Sequence, residues 1–228
     1  MNIKQKLTWA FAIIACLPVV LVATLVVLNL RSDAKDEFVD NSGREIRQVS
    51  NAMQLFFDGI SQNVEYLAKQ PLITNSDDSL KTYMNANAAS IPQGEMDKKV
   101  FGFLQDLGNA HPSYAYAILG TAAGGYVSWP DDAKLANYDP RQRPWYKAAQ
   151  AKPGKPLRTE AYYWAENDTS YVSTVRTIDN KLGTNGGVVS IDVSLKQLTE
   201  LVKQIKLGES GYLMLLENTG TVLVDPKQ

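Results

Sequence analysis

The stretch from Leu7 to Leu30, LTWAFAIIACLPVVLVATLVVLNL, contains no charged residue in 24 positions. Nothing else in the chain restricts its fold as strongly. A helix rising about 1.5 Å per residue over that length crosses a hydrocarbon core of about 30 Å. Lys4 and Lys6 precede the run and no acid does. The positive-inside rule therefore leaves residues 1–6 in the cytoplasm, 7–30 in the membrane and the remainder outside. A cleaved signal peptide is the competing reading. The run exceeds the roughly 7–15 residues of a usual signal core, and no small-residue cleavage site follows it. An uncleaved anchor is the expectation. Pro18 is compatible with a kinked membrane helix, and Cys16 reads as an apolar filler.

From Arg31 onward there are 21 bases against 24 acids, a net of −3. No block of like charge marks a nucleic-acid surface, so nucleic acid is not an expected partner. A single cysteine excludes an internal disulfide framework and a cysteine-rich zinc site. The one histidine, His111 in NAHPSY, reads as a loop residue rather than a metal ligand. No metal or cofactor is expected.

Beyond the anchor, apolar residues fall at Ile46, Val49, Met53, Phe56, Ile60, Val64 and Leu67, near heptad spacing. They predict a long helix over 31–70, with Pro71 ending it. Its stripe packs on its own domain, on a second copy of the chain, or on both. Met96, Val100, Phe103 and Leu107 repeat the pattern over 95–107. The period then changes to two. SYAYAILGTAAGGYVSWP reads as strand, glycine turn, strand. TSYVSTVRTI and GGVVSIDVSL read as two further strands around DNKLGTNGG. Ser194 opens a helix, with Gln197 in the capping-box position and Gly208 at its close.

The chain also repeats itself. Tyr116, Leu119, Gly124 and Pro130 recur 96 residues later as Tyr212, Leu215, Gly220 and Pro226. Two hairpins of identical spacing predict tandem α/β modules, the first over 71–206 and the second beginning at 207. The second copy stops soon after its proline, so the sequence reads as a piece of a longer protein.

One segment remains, YDPRQRPWYKAA, Tyr138 to Ala149. It is too irregular for one helix or strand, yet concentrates arginine, tyrosine and tryptophan. The anchor, long helix, tandem modules and this segment resemble the extracellular sensor of bacterial methyl-accepting chemotaxis proteins. The sensor type is the double Cache domain, two PAS-like modules on one long helix. The resemblance implies an α+β fold with antiparallel sheets. YDPRQRPWY looks like the distal-pocket signature of the amino-acid-binding members. The matching positions are Tyr138, Arg143, Trp145 and Tyr146, followed by Tyr162 in EAYYW and Asp192 in VVSIDVSL. Tyr163 adjoins Tyr162, and Ala161 stands where the family often has proline.

The chemistry of these residues agrees with that resemblance. A free α-amino acid is a zwitterion. Its carboxylate suits the planar fork of Arg143, with the Trp145 indole and the Tyr138 hydroxyl as further donors. Its ammonium needs an anion, which Asp192 supplies, and Tyr146 and Tyr162 offer oxygens or ring faces. The alternative is structural, with Arg143 bridging Asp192 among core aromatics. Arg141 is expected to face solvent or tether the loop. Strands 115–130 should form one wall, with WAENDTS near the mouth. Glu166, Asp168 and Ser170 are possible side-chain contacts, although a surface loop explains each of them.

No histidine triad, paired-metal cluster or phosphate-cradling glycine loop stands out. The expected function is a periplasmic ligand sensor on the inner membrane, not an enzyme. It binds small zwitterions, L-amino acids above all, and pairs as a homodimer through the long helix. Alternatives are the same sensor on a histidine kinase or diguanylate cyclase, a pocket for amines or organic acids, and a structural ectodomain.

Overall fold

The computed structural model describes residues 2–76, 79–87, 93–131, 135–179, 185–205, 211–225 and 227. The chain divides into two compact units, Met1–Ala52 and Met53–Gln228. Helix α1, Ile3–Lys69, supplies all the secondary structure of the first. It continues through Pro18 and is long and apolar enough to cross a membrane. Leu17, Val20, Leu25 and Leu28 point outward, exposed. Thr8 and Thr24 return their hydroxyls to the carbonyls of Lys4 and Val20 at 2.9 and 2.7 Å. Neither hydroxyl then asks anything of its surroundings, which suits a helix in lipid.

The second unit is α+β. After α1 come α2 (Pro71–Thr74), β1 (Tyr83–Asn87) and α3 (Glu95–Ala110). Then follow β2 (Tyr116–Thr121), β3 (Tyr126–Trp129), β4 (Ala136–Tyr138) and α4 (Pro144–Ala151). The chain ends with β5 (Leu157–Arg158), β6 (Tyr162–Trp164), β7 (Thr169–Asp179), β8 (Asn185–Ser194), α5 (Leu195–Lys203), β9 (Leu215–Leu216) and β10 (Val222–Val224). The main sheet runs β3-β2-β8-β7-β5, with β6 also pairing β7. All its pairings are antiparallel.

Alternation along the central strands sets the two faces. Val189, Ile191 and Val193 of β8 join Ala117 and Leu119 of β2 in one core. That core takes Val100 and Leu104 of α3, Leu198 and Val202 of α5, and Ile60, Val64 and Leu67 of α1. Met53 and Phe56 pack against it, so the predicted seam sinks into its own domain from Met53 onward. Ile46 stays exposed. Arg176 of β7 also lies on this face, 8% exposed. Its Nε meets Glu65 of α1 at 2.7 Å. The opposite face carries Ile118, Tyr126, Tyr171, Val175 and Val188 in a second core with α4.

Local signals explain the helix ends. Ser194 Oγ accepts from Gln197 N at 3.1 Å, and Gln197 Oε1 accepts from Ser194 N at 3.3 Å. This is the predicted capping box. The predicted close at Gly208, Pro226 of the repeat and most of DNKLGTNGG lie outside the described residues. His111 caps α3 rather than lying free in a loop. Its Nδ1 is 2.9 Å from Leu107 O, its Nε2 is 3.1 Å from Asn63 Nδ2 on α1, and its ring stacks on Tyr114.

The two repeated hairpins share a turn. Thr121 N donates to Gly125 O, and Gly124 N donates to Thr121 O. Glu217 N donates to Thr221 O, and Gly220 N donates to Glu217 O. Each bond has its counterpart 96 residues on. Gly124 and Gly220 sit at φ of 92° and 89°, left-handed backbone that glycine adopts without a Cβ penalty.

Candidate functional site

The segment Tyr138–Ala149 is irregular because it joins three elements. β4 ends at Tyr138, a 3-10 turn covers Pro140–Gln142, and α4 starts at Pro144. Asp139 Oδ1 accepts from Arg141 N at 2.9 Å and caps the turn. The same carboxylate takes a forked pair from Arg141 Nε and Nη2, both at 2.9 Å. Arg141 Nη1 reaches Ala122 O at 3.4 Å. Arg141 is thus the loop tether that the sequence suggested. Arg143, at the start of α4, turns the other way. Its guanidinium lies 5.0 Å from the Tyr138 ring centre and 5.6 Å from that of Trp164.

Asp192 sits on β8 on the face opposite the α3 core, 0% exposed. Ser190, two residues before it and so on the same face, donates from Oγ to Oδ1 at 2.5 Å. Tyr162 donates to Oδ2 at 3.2 Å, and its hydroxyl also lies 3.0 Å from Ser173 Oγ. Desolvation raises the Asp192 carboxyl to about 6, against the lowering effect of Ser173, Ser190 and Tyr162. Burial, and then the Asp192 charge, push the Tyr162 phenol up strongly. Among the described residues Asp192 has no ion-pair partner, and neither has Arg143. The structural alternative, an Arg143–Asp192 bridge, is therefore not what the described residues form.

Tyr138 lies under the Arg143 guanidinium and feels both charges. Trp145 Nε1 donates to its hydroxyl at 3.3 Å. Burial pushes the phenol up to about 12, while Trp145 and Arg143 pull it down and Asp192 pushes it up. Tyr138, Arg143, Trp145, Tyr162 and Asp192 thus converge. Tyr146 packs its ring 5.5 Å from Trp145. Its hydroxyl is in the field of Arg141 and Asp139 rather than of Asp192.

Sequence reasoning missed several neighbours. Trp164 stacks on Tyr138 at 6.2 Å and 14°. Tyr126 lies 4.7 Å from the same ring. Ser173 and Ser190 serve the carboxylate. Ser190 had a signal, being two residues from Asp192 on one strand. Trp164 opens WAENDTS, the segment expected near the mouth, but had no assigned role there. Of the possible contacts, Asp168 accepts from Tyr163 on the exposed side at 2.7 Å. Ser170 pairs with Tyr163 in the β6–β7 ladder, and the Glu166 side chain lies outside the described residues. Asn167 instead reaches inward, donating to Tyr116 OH at 2.5 Å.

The sheet thus packs α1, α3 and α5 on one face, and on the other an aromatic core with α4 that holds an arginine and a buried carboxylate without ion-pair partners among the described residues. Residues 31–228 match the dCache_1 model, a Cache domain, and the chain belongs to that family. Methyl-accepting chemotaxis protein McpB of Bacillus subtilis (strain 168) is 27% identical, over 96% of this chain and 30% of that protein. The chain thus spans about a third of that curated relative. The ligand-binding domain of Pseudomonas fluorescens chemoreceptor CtaA in complex with L-serine superposes with a TM-score of 0.64 at 25% identity. The match covers 83% of this chain and 73% of that one. That of the Pseudomonas aeruginosa PAO1 amino acid chemoreceptor PctB with L-Arg gives 0.58 at 25% identity, over 76% and 64%.

Proposed function

We propose that this chain is the sensing end of a transmembrane chemoreceptor that binds α-amino acids through Tyr138, Arg143, Trp145, Tyr146, Tyr162 and Asp192. One observation carries the reading. In one aromatic core a guanidinium lies over Tyr138 and a buried carboxylate is held by Tyr162, each without an ion-pair partner among the described residues. An isolated buried charge is costly. A zwitterion supplies both missing partners at once, its carboxylate to Arg143 and its ammonium to Asp192. Amines leave Arg143 unmatched, and organic acids leave Asp192 unmatched.

In this reading α1 anchors the sensor, with residues 1–6 cytoplasmic and the Cache region periplasmic. A second copy pairs along α1, where Leu55 and Tyr66 stay exposed. Ligand favours one of two seatings of the sheet on α1, and its differential affinity for them sets the size of the signal. The signal so relayed serves chemotaxis.

The test is calorimetry on the full chain in nanodiscs against individual L-amino acids, taurine, putrescine and succinate. Binding confined to amino acids, and lost in both Arg143→Ala and Asp192→Asn, supports the proposal. Binding of putrescine or succinate alone, or amino-acid binding that survives both substitutions, overturns it.

A further inference from the structure

Two buried polar atoms in the aromatic core have no hydrogen-bond partner among the described residues, Tyr126 OH and Trp164 Nε1. They are not equivalent. A phenol rotates its proton and both donates and accepts, whereas an indole N–H only donates, along one fixed direction. A buried donor left unmet is rare in folded proteins and calls for a specific explanation. Trp164 is 1% exposed. Its ring lies beside the arginine half of the site and reaches the carboxylate half through two tyrosines. It is 5.6 Å from the Arg143 guanidinium and stacked on Tyr138. Its other neighbours are Tyr171, at 6.2 Å, and Tyr116, at 5.6 Å. Tyr171 in turn adjoins Tyr162, at 6.5 Å, which holds Asp192.

Resting on the reading above, we infer that Trp164 is a ligand-contact residue that selects α-amino acids with uncharged side chains, its indole N–H donating to an oxygen of the ligand. The selection follows from what surrounds the ring. Tyr116, Tyr138 and Tyr171 share one core with Leu135, Val175 and Val188. Arg143 is committed to the α-carboxylate and Asp192 to the α-ammonium. Among the described residues Asp192 is the one buried charged side chain on this face of the sheet, so a basic ligand side chain meets no second buried acid and an acidic one no buried cation. Either is desolvated against ring faces without compensation. An aliphatic or amide side chain is not.

The test uses the full chain in nanodiscs and four probes, L-leucine, L-glutamine, L-glutamate and L-lysine. Calorimetry on the wild type is expected to show leucine or glutamine at least about tenfold tighter than glutamate and lysine. Trp164→Phe keeps a ring and deletes the N–H. A net hydrogen bond corresponds to roughly a tenfold change in affinity, so this variant should weaken the best binder by about that factor. Should Trp164→Phe fail to fold, the wild type answers alone. With 15N-labelled indoles, one of the four tryptophan resonances, assigned to Trp164 by substituting the other three, should move downfield on adding the best-binding probe. Unchanged affinity in a folded Trp164→Phe, an unmoved Trp164 resonance, or equal or tighter binding of glutamate or lysine overturns the inference. A wild type that binds none of the four overturns both this inference and the reading beneath it. Binding without Trp164 involvement removes only the inference.

Discussion

Asp192 couples pH to both stability and ligand affinity, with opposite signs. Its carboxyl stands near 6 in the folded chain against 3.8 in the unfolded one. Between those values the native state holds the extra proton. The ligand-free chain therefore gains stability as pH falls through 6 towards 4. It loses about 3 kcal/mol on the way back to neutrality, from the 1.36 kcal/mol that each pKa unit represents. Asp192→Asn should raise the melting temperature of the ligand-free chain at pH 7 and flatten this pH dependence, while abolishing binding. A drop in melting temperature would mark Asp192 as a structural group instead. Affinity runs the other way, because an ammonium ligand needs the ionised carboxylate. Calorimetric affinity should hold above pH 6 and fall about tenfold per unit below it. Arg143, Tyr138 and Asp192 stood out in the sequence because their order resembles the amino-acid-binding signature, with which their chemistry agrees. Ser173 and Tyr126 did not. Serine and tyrosine have many uses, and only the β7–β8 and β2–β3 pairings bring these two to the carboxylate side.

Among the elements, the long strands and helices announced themselves, and the short ones did not. The predicted β2–β3 hairpin, β7, β8, α3 and α5 all form, because each is long enough to show its period. β4, β5 and β6 have three, two and three residues, too few for any periodicity. They are strands because a neighbour pairs with them. The Arg176–Glu65 contact is likewise a product of packing. It joins the strand that carries Ser173 on one face to α1 on the other. Lys69, 2.6 Å from the same carboxylate, and Arg176 hold the Glu65 carboxyl below its ordinary range. Glu65→Ala would leave the Arg176 guanidinium, with 10% of its side chain exposed, without its anion. Part-exposure of Glu65 moderates the cost, which should be about 2–3 kcal/mol in chemical denaturation. Glu65→Gln should cost less, since it keeps an acceptor.

Across the whole molecule, the second hairpin does not stand apart from the first module. Val224 of β10 is 2% exposed within the same core as Val64, Leu67 and Ile73, and Leu213, Leu215 and Leu223 pack against that core. Glu217 Oε1 accepts from Ala161 N at 2.7 Å, one residue before Tyr162. Val224→Ala should therefore lower the single melting transition of the Cache region by about 2 kcal/mol. A separate early transition would show the hairpin to be an independent unit. The sequence by itself determined the apolar N-terminal helix, the long seam of α1, the repeated turn and the kinds of charge at the candidate site. These depend on local spacing and side-chain chemistry, which the chain order carries directly. Only the tertiary structure decided that Arg143 and Asp192 form no ion pair and that Trp164, beside Arg143, keeps an unmet N–H. Burial and pairing there depend on residues dozens of positions away that meet only when the sheet closes.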